Sequence, residues 1–382
     1  MHIGFLASEF PHPEVARSAG IGTSIYNLSK GLLARGHKVS VILYAQKSDK
    51  AIAFEGIEIY FVKSPKLKGF SRLLLQRKLQ RLINKLVKNE NLDLMEAPDW
   101  IGMTSNIKPK CPVVVRLHGS DTYFCHLDQR PVKPINRRRE EKALKNADAI
   151  VSVSQFTANV TRELFGLQPE IAVVPNGIEI AKFEPSTALP KKGVILYFGT
   201  LIRKKGLLEL AQIFNLVVQK HPESELILVG KDSADILTKT ASTWKLMQEL
   251  FTPEALSRVN YRGTVKYSEV RQQIDEAEVC VFPTFAEALP VSWIEAMAME
   301  KPIVASNIGW ASEMIANRNE GFLVHPKSHR EFADRICELL ENPGHGKNMG
   351  KNAREKAVAV FSAESVALKN EAFYQKVIGS SK

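Results

Sequence analysis

Glu287 and Glu295 stand eight residues apart in the segment 282–299, where an apolar run ends at Phe282 and a helical pattern follows Pro290. A proline suits the first turn of a helix, because its missing N–H costs nothing there. A helix start also offers unpaired backbone N–H groups and a positive dipole end, which suit a diphosphate. Glu287, in the preceding loop, can accept hydrogen bonds from sugar hydroxyls. Glu295, just under two turns into the helix, can accept two hydroxyls of a ribose. As a bare pair, the two acids read more simply as exposed helix-start carboxylates.

A second cluster is cationic. Gly199-Thr200-Leu201-Ile202-Arg203-Lys204-Lys205-Gly206 follows one strand pattern and opens a helix. A departing diphosphate accumulates negative charge, and Arg203 and Lys205 are placed to offset it. The bland alternative is a solvated basic turn. His118 follows the apolar run Val113–Leu117. It is placed to hydrogen-bond a sugar hydroxyl or to stabilise positive charge at an anomeric carbon, rather than to act as a base. Asp121 reads equally as an acceptor-side contact or a helix N-cap. Glu96, in Glu96-Ala97-Pro98-Asp99, ends another strand pattern and is a further acceptor-side candidate. Gly20 and Gly22 precede a helical pattern. However, Ile25 stands where a dinucleotide fingerprint needs its third glycine, and the next strand ends at Leu43-Tyr44-Ala45 without an acid. That disfavours a nicotinamide dinucleotide.

These residues need elements to carry them. Ile3–Ala7 and Lys38–Tyr44 read as strands around a helix marked by Ile25, Leu28, Leu32 and Leu33. Apolar runs continue at Ile57–Val62, Leu92–Met95, Val113–Leu117, Ala149–Val153 and Ile171–Val174, with helical patterns between most of them. Pro175-Asn176-Gly177 is a turn signal, and the polar stretch to Lys192 reads as a linker. The pattern then restarts at Gly193–Phe198, Leu226–Val229, Val279–Phe282, Pro302–Ala305 and Phe322–Val324. Such alternation predicts an α/β protein of two doubly wound parallel sheets, each covered on both faces. The expected division is 1–176, 177–361 and a terminal helix at 362–382.

The 382 residues are 45% hydrophobic and 24% charged, ordinary for two globular domains. Four scattered cysteines form no CxxC pair and fit reduced thiols in the cytoplasm. No apolar stretch reaches the ~20 residues of a membrane span. The N-terminus enters a strand directly, so no signal peptide is expected.

The string Glu287, Leu289-Pro290, Glu295-Ala296-Met297-Ala298, Pro302-Ile303-Val304-Ala305-Ser306, Gly309 and Glu313 resembles the donor-site signature of retaining glycosyltransferases of family 4. Ala288 stands in place of a glycine. Trp310 stands in place of another, where it would narrow the pocket or shape donor choice. The resemblance extends over nearly the whole chain, through Gly20-Ile21-Gly22-Thr23, His118-Gly119-Ser120-Asp121 and Pro175-Asn176-Gly177-Ile178. It implies the GT-B architecture, two facing Rossmann-like domains with the C-terminal helix crossing back to the first. It also implies a nucleotide-diphosphate-sugar donor, a hydroxyl acceptor and retention of anomeric configuration, in polysaccharide or glycolipid synthesis. By the same resemblance Lys205 neutralises the diphosphate, the Gly20–Gly22 loop faces the sugar–phosphate gap, and Gly230 approaches the nucleotide base. Ala288, Leu289, Pro290 and Val291 fall within the donor-binding string. No cofactor and no metal are expected, since Arg203, Lys205 and the helix dipole carry the charge. Other chemistry on the same scaffold (a phosphorylase or nucleotide-sugar epimerase) and a silent nucleotide- or lipid-binding protein are the alternatives.

The net charge of +11 is partly local: residues 63–88 hold nine Lys or Arg and no acid. Leu75, Leu79, Leu82, Ile83 and Leu86 share one helical face of that stretch, with most of the cations elsewhere. The plain reading is a core-facing helix with a solvated basic side. The sharper one, for residues 65–88, is peripheral contact with an anionic membrane on its cytoplasmic face. Nucleic acid is disfavoured, because no aromatic stacking platform accompanies the charge.

Overall fold

The computed structural model describes every residue except 16–18, 68, 169 and 381–382. The chain divides into two compact units, Met1–Glu179 with Val360–Lys382, and Ile180–Ala359.

The first unit holds β1 (His2–Ala7), β2 (Lys38–Gln46), β3 (Lys50–Phe54), β4 (Ile57–Lys63), β5 (Leu94–Pro98), β6 (Val113–Leu117), β7 (Ala149–Ser152) and β8 (Ala172–Val173). They form one sheet in the order β3-β4-β2-β1-β5-β6-β7-β8. Every pairing is parallel except that of β3 with β4. The antiparallel edge comes from a two-residue hairpin. Glu55 and Gly56 both have positive φ, 50° and 85°, as the favoured hairpin turn requires.

Strand side chains alternate between faces, and both faces are covered. Ile3, Phe5, Val39, Val41, Ile57 and Ile59 pack with Ile25, Leu28 and Leu32 of the helix Gly20–Ala34. Val366, Tyr374 and Val377 of the terminal helix Ala363–Ser380 join the same cluster. Leu6, Ile42, Tyr44 and Val62 point the other way, onto Leu75, Leu79, Ile83 and Leu86 of the helix Ser71–Glu90. The segment expected to turn at Pro175–Gly177 instead runs on to Ile178, which bridges to Ser362. Gly177 is there for space: a Cβ would meet Val366 at 3.0 Å and the Phe361 carbonyl at 3.2 Å.

The second unit holds β9 (Val194–Phe198), β10 (Glu225–Val229), β11 (Val259–Tyr261), β12 (Val279–Phe282), β13 (Ile303–Ser306) and β14 (Phe322–Val324). The order is β11-β10-β9-β12-β13-β14, all parallel. Strand order therefore reverses between β9 and β12 here, and between β1 and β5 in the first unit. Ligand sites of open parallel sheets form at such reversals, outside the carboxyl ends of the strands.

Candidate active site

In the second unit the two loops at the reversal are tied together by backbone. After β9 the chain passes Gly199, makes a short turn at Arg203–Lys205 and enters the helix Leu207–Lys220 through Gly206. After β12 it runs to Pro290 and enters the helix Val291–Ala298. The Phe285 and Ala286 N–H groups both donate to the Lys204 carbonyl, at 2.9 and 3.3 Å. Gly206 has φ +71°, and a Cβ on it would overlap the Pro283 carbonyl. This close approach brings Lys205 into an ion pair with Glu287.

Burial alone would raise the Glu287 carboxyl, but the charges of Lys205 and Lys204 outweigh it and hold the group below its ordinary value. Glu287 is thus a carboxylate, pre-aligned as an acceptor. Tyr197, buried beneath, donates its hydroxyl to the Thr200 carbonyl at 3.0 Å and fixes the start of the β9 loop. Ala288 and Leu289 are each only 4% exposed. Pro290 sits one position before the first helical residue, Val291, and no side chain caps the helix start. Its leading N–H groups are available to an anion.

Glu295 is 5% exposed, and its carboxyl accepts the Tyr267 hydroxyl at 2.8 Å. Burial, only partly countered by that bond, pushes it up to about 7. Arg203 is held by Asp235 through two bonds, Nε to Oδ1 at 2.7 Å and Nη2 to Oδ2 at 2.9 Å. Asp235 also accepts the N–H and hydroxyl of Thr238. Arg203 is therefore anchored toward the segment after β10, whereas Lys205 meets Glu287. Gly230, after β10, has φ +143° and lies against the Gly199 carbonyl, where a Cβ would overlap. Trp310, expected to narrow a pocket, is instead 0% exposed: its bulk is spent in the core, not on a ligand surface.

In the first unit the structure redistributes the expected roles. Gly20 and Gly22 do not form a loop ahead of the helix; they are its first turn. Gly22 donates its N–H to Glu9 at 2.9 Å and would strike the Glu9–Phe10 backbone at 2.9 Å if it bore a Cβ. Glu96 is not presented to an acceptor. It is 2% exposed, holds Arg116 at 2.7 and 2.9 Å, and accepts the Tyr374 hydroxyl at 2.7 Å. Asp121 is not the N-cap of the helix Asp121–Leu127. Ser120 caps it through the Tyr123 N–H, and the buried Glu140 takes the N–H groups of Asp121 and Thr122. The Asp121 carboxylate turns to Asn136 at 2.9 Å.

His118 does sit at the carboxyl end of β6, with its N–H on Asp99 Oδ1 at 3.0 Å. Burial and the Arg116 charge push its imidazole down to about 3, so it is neutral near pH 7. Asp99 is 1% exposed, and burial pushes it up to about 8 against the N–H groups of His118 and Gly119. Its Oδ2 is buried without a hydrogen-bond partner. Sequence reasoning placed Asp99 at a strand end but gave the weight to Glu96. Tyr267, Asp235 and Glu140 had no local signal, because each acts on a residue 15 or more positions away.

Elsewhere in the first unit His2, Glu58 and Glu90 have metal-ligand spacing. Lys38 already bridges Glu58 and Glu90 at 3.2 and 2.9 Å, and His2 holds Ser40 at 2.8 Å. Among the described residues no helix is long and apolar enough to cross a membrane.

Residues 18–182 match the family model described as Glycosyltransferase Family 4, and residues 179–356 that described as Glycosyl transferases group 1. The chain belongs to the family 4 glycosyltransferases. Among relatives, the MMP alpha-(1->4)-mannosyltransferase of Mycolicibacterium hassiacum is 29% identical over 255 residues, which cover 64% of this chain and 60% of that protein. The matched part is thus less than two thirds of that relative's length. Among solved structures, the sucrose-phosphate synthase of Thermosynechococcus elongatus superposes with a TM-score of 0.82 at 19% identity, covering 100% of both chains. HepE of Anabaena, in complex with UDP and glucose, gives 0.76 at 20% identity, covering 98% of this chain and 99% of that one. These likenesses establish the family's GT-B fold for the chain. Lys205 follows β9, and Glu287 and Glu295 follow β12, so all three lie on the segments that flank the β9/β12 reversal.

Proposed function

We propose that the chain transfers a sugar from a nucleotide-diphosphate donor to a hydroxyl acceptor, with retention at the anomeric carbon. The observation that carries this is the Lys205–Glu287 pair at the β9/β12 reversal, beside an uncapped helix start. In that reading the Val291–Ala298 N-terminus and Lys205 hold the diphosphate, with Arg203 released from Asp235 toward it. Glu287 accepts from the sugar and Glu295 from the ribose. The Gly230 loop after β10 approaches the base. His118, at the carboxyl end of β6 in the first unit, is a neutral imidazole able to hydrogen-bond a sugar hydroxyl.

Retention is what the family resemblance implies, and a front-side course accounts for it. The bond from the anomeric carbon to the phosphate oxygen breaks as the acceptor oxygen bonds to the same face, and the acceptor proton passes to the leaving phosphate. In this reading Glu287, paired with Lys205, and Glu295, accepting from Tyr267, serve as hydrogen-bond acceptors and neither as a nucleophile. The family resemblance and the complex of HepE with UDP and glucose support the donor class. Cationic side chains take the leaving-group charge in this scheme, so turnover is expected to survive chelation by EDTA.

The test is turnover of a nucleotide-sugar panel, with the anomeric configuration of the product read by NMR. Glu295→Ala and Lys205→Ala serve as controls. Binding of no donor would defeat the reading, and an inverted product would defeat its mechanism.

A further inference from the structure

The helix Ser71–Glu90 buries Leu75, Gln76, Leu79, Ile83 and Leu86 on one side. Its outward side is not a mixed, solvated face. Residues 70, 74, 77, 81, 85 and 88 fall on one stripe at helical spacing. The N-terminal end of the stripe is apolar: Phe70 is 61% exposed, and the adjoining Leu67 is 52% exposed. The remainder is basic, with Arg77, Arg81, Lys85 and Lys88 all exposed. Arg81, Lys85 and Lys88 also line, with Lys110, a concave surface of about 620 Å³.

Charge pairing does not explain this stripe. Lys78 is taken by Asp49 at 2.6 Å, and Glu90 is taken by Lys38 at 2.9 Å. Arg77, Arg81, Lys85, Lys88 and Lys110 form no ion pair among the described residues. A helix whose inner face is already satisfied gains nothing for its own fold from four outward cations in line with an exposed aromatic ring. Lys68 also belongs to this basic segment in sequence but lies outside the described residues.

We propose that this outward face docks on an anionic lipid bilayer. The cations engage lipid phosphates, with the concave surface around Lys85 and Lys110 seating headgroups, while Phe70 and Leu67 enter the acyl boundary. A soluble polyanion would use the same charge but has no place for Phe70 and Leu67. The proposal goes beyond the transfer reaction and does not depend on it, since binding is read without turnover.

Co-sedimentation of the full chain with vesicles tests it. Vesicles of phosphatidylcholine with about a third phosphatidylglycerol should bind the protein, and pure phosphatidylcholine should not. Binding should weaken as salt rises and the Debye length shrinks. The triple variant Arg81→Glu, Lys85→Glu, Lys88→Glu should bind at least about tenfold more weakly while keeping its circular dichroism and melting temperature, because none of these side chains is buried. Phe70→Ser should retain the low-salt binding and lose the salt-resistant part. Equal binding to neutral vesicles, an unaffected triple variant, an unaffected Phe70→Ser variant or a preference for duplex DNA over vesicles would each overturn the proposal.

Discussion

At the scale of single residues, the candidate site depends on two carboxyl groups in opposite electrostatic states. Glu287 is kept ionised by Lys205, while Glu295 is pushed up to about 7 by burial beside Tyr267. If the first pair acts as one unit, Lys205→Ala and Glu287→Gln should each lower turnover by about 10²–10³-fold. The double variant should then be little worse than the weaker single, since members of one network are not additive. Multiplying losses would show that the two side chains act separately. Glu295 predicts a pH effect. Its native value lies above that of the unfolded chain, so the native state holds the extra proton between about 4.5 and 7. Stability therefore falls as pH rises through that window and flattens above it. Donor affinity should move the other way, tightening as Glu295 ionises and becomes a pure acceptor for ribose hydroxyls. Calorimetric titration across pH 6–8 should show the tightening in the native chain and none in Glu295→Gln. An unchanged slope in that variant would assign the effect to another group. These states were hidden from the sequence. The spacing of Glu287 and Glu295 was visible, but the partners that fix their protonation come from residues 267 and 205, and only the fold brings them near.

At the scale of elements, the strand sequence was legible because buried parallel strands are nearly continuous apolar runs. Two strands escaped. β3 (Lys50–Phe54) is a five-residue edge strand whose side chains alternate between half-buried and exposed, with none fully buried, and β11 (Val259–Tyr261) is three residues long. The glycines were legible as a class but not by cause. Gly20 and Gly22 looked alike in sequence, yet Gly20 has open space around it while Gly22 abuts the Glu9–Phe10 backbone. Gly206, flanking the cationic turn, is constrained twice, by its φ of +71° and by the Pro283 carbonyl. These differences make a graded prediction. Gly206→Ala should cost more than the ~1–2 kcal/mol of a left-handed alanine, because the β12 loop must also shift. It should weaken donor binding in parallel, since the same loop carries Glu287. Gly20→Ala should keep or slightly raise stability, as alanine is the better helix former. Denaturant melts of the two variants check both, and a harmless Gly206→Ala would mean that the β9 and β12 loops are not held by this contact.

At the scale of the whole molecule, the chain ends in the unit where it began. The terminal helix Ala363–Ser380 supplies Val366, Tyr374 and Val377 to the first unit's core. It also finishes a buried polar network: Arg116 pairs with Glu96, Glu96 accepts the Tyr374 hydroxyl at 2.7 Å, the Val174 carbonyl accepts from Arg116 Nη1, and Asn370 accepts from Arg116 Nη2. A buried ion pair is stable only while its leftover hydrogen-bonding capacity is met, and here the helix that meets it is more than 250 positions away in sequence. Ending the chain at residue 362 should therefore remove about 5 kcal/mol or more of apolar burial, at ~1.5–3 kcal/mol per large side chain. That is comparable with the stability of an ordinary domain. Hydrogen exchange should show protection falling first in β1, β5 and β6, with the loss in β9 and β12 much smaller. Since the truncated chain could simply fail to fold, Tyr374→Phe isolates the polar part. It deletes one hydroxyl that donates to a charged acceptor and should cost about 1.5–3 kcal/mol, with the faster exchange concentrated in β5 and β6 around Glu96 and Arg116. Uniform loss of protection along the whole chain, or none, would mean that the terminal helix is not what completes the first unit's core.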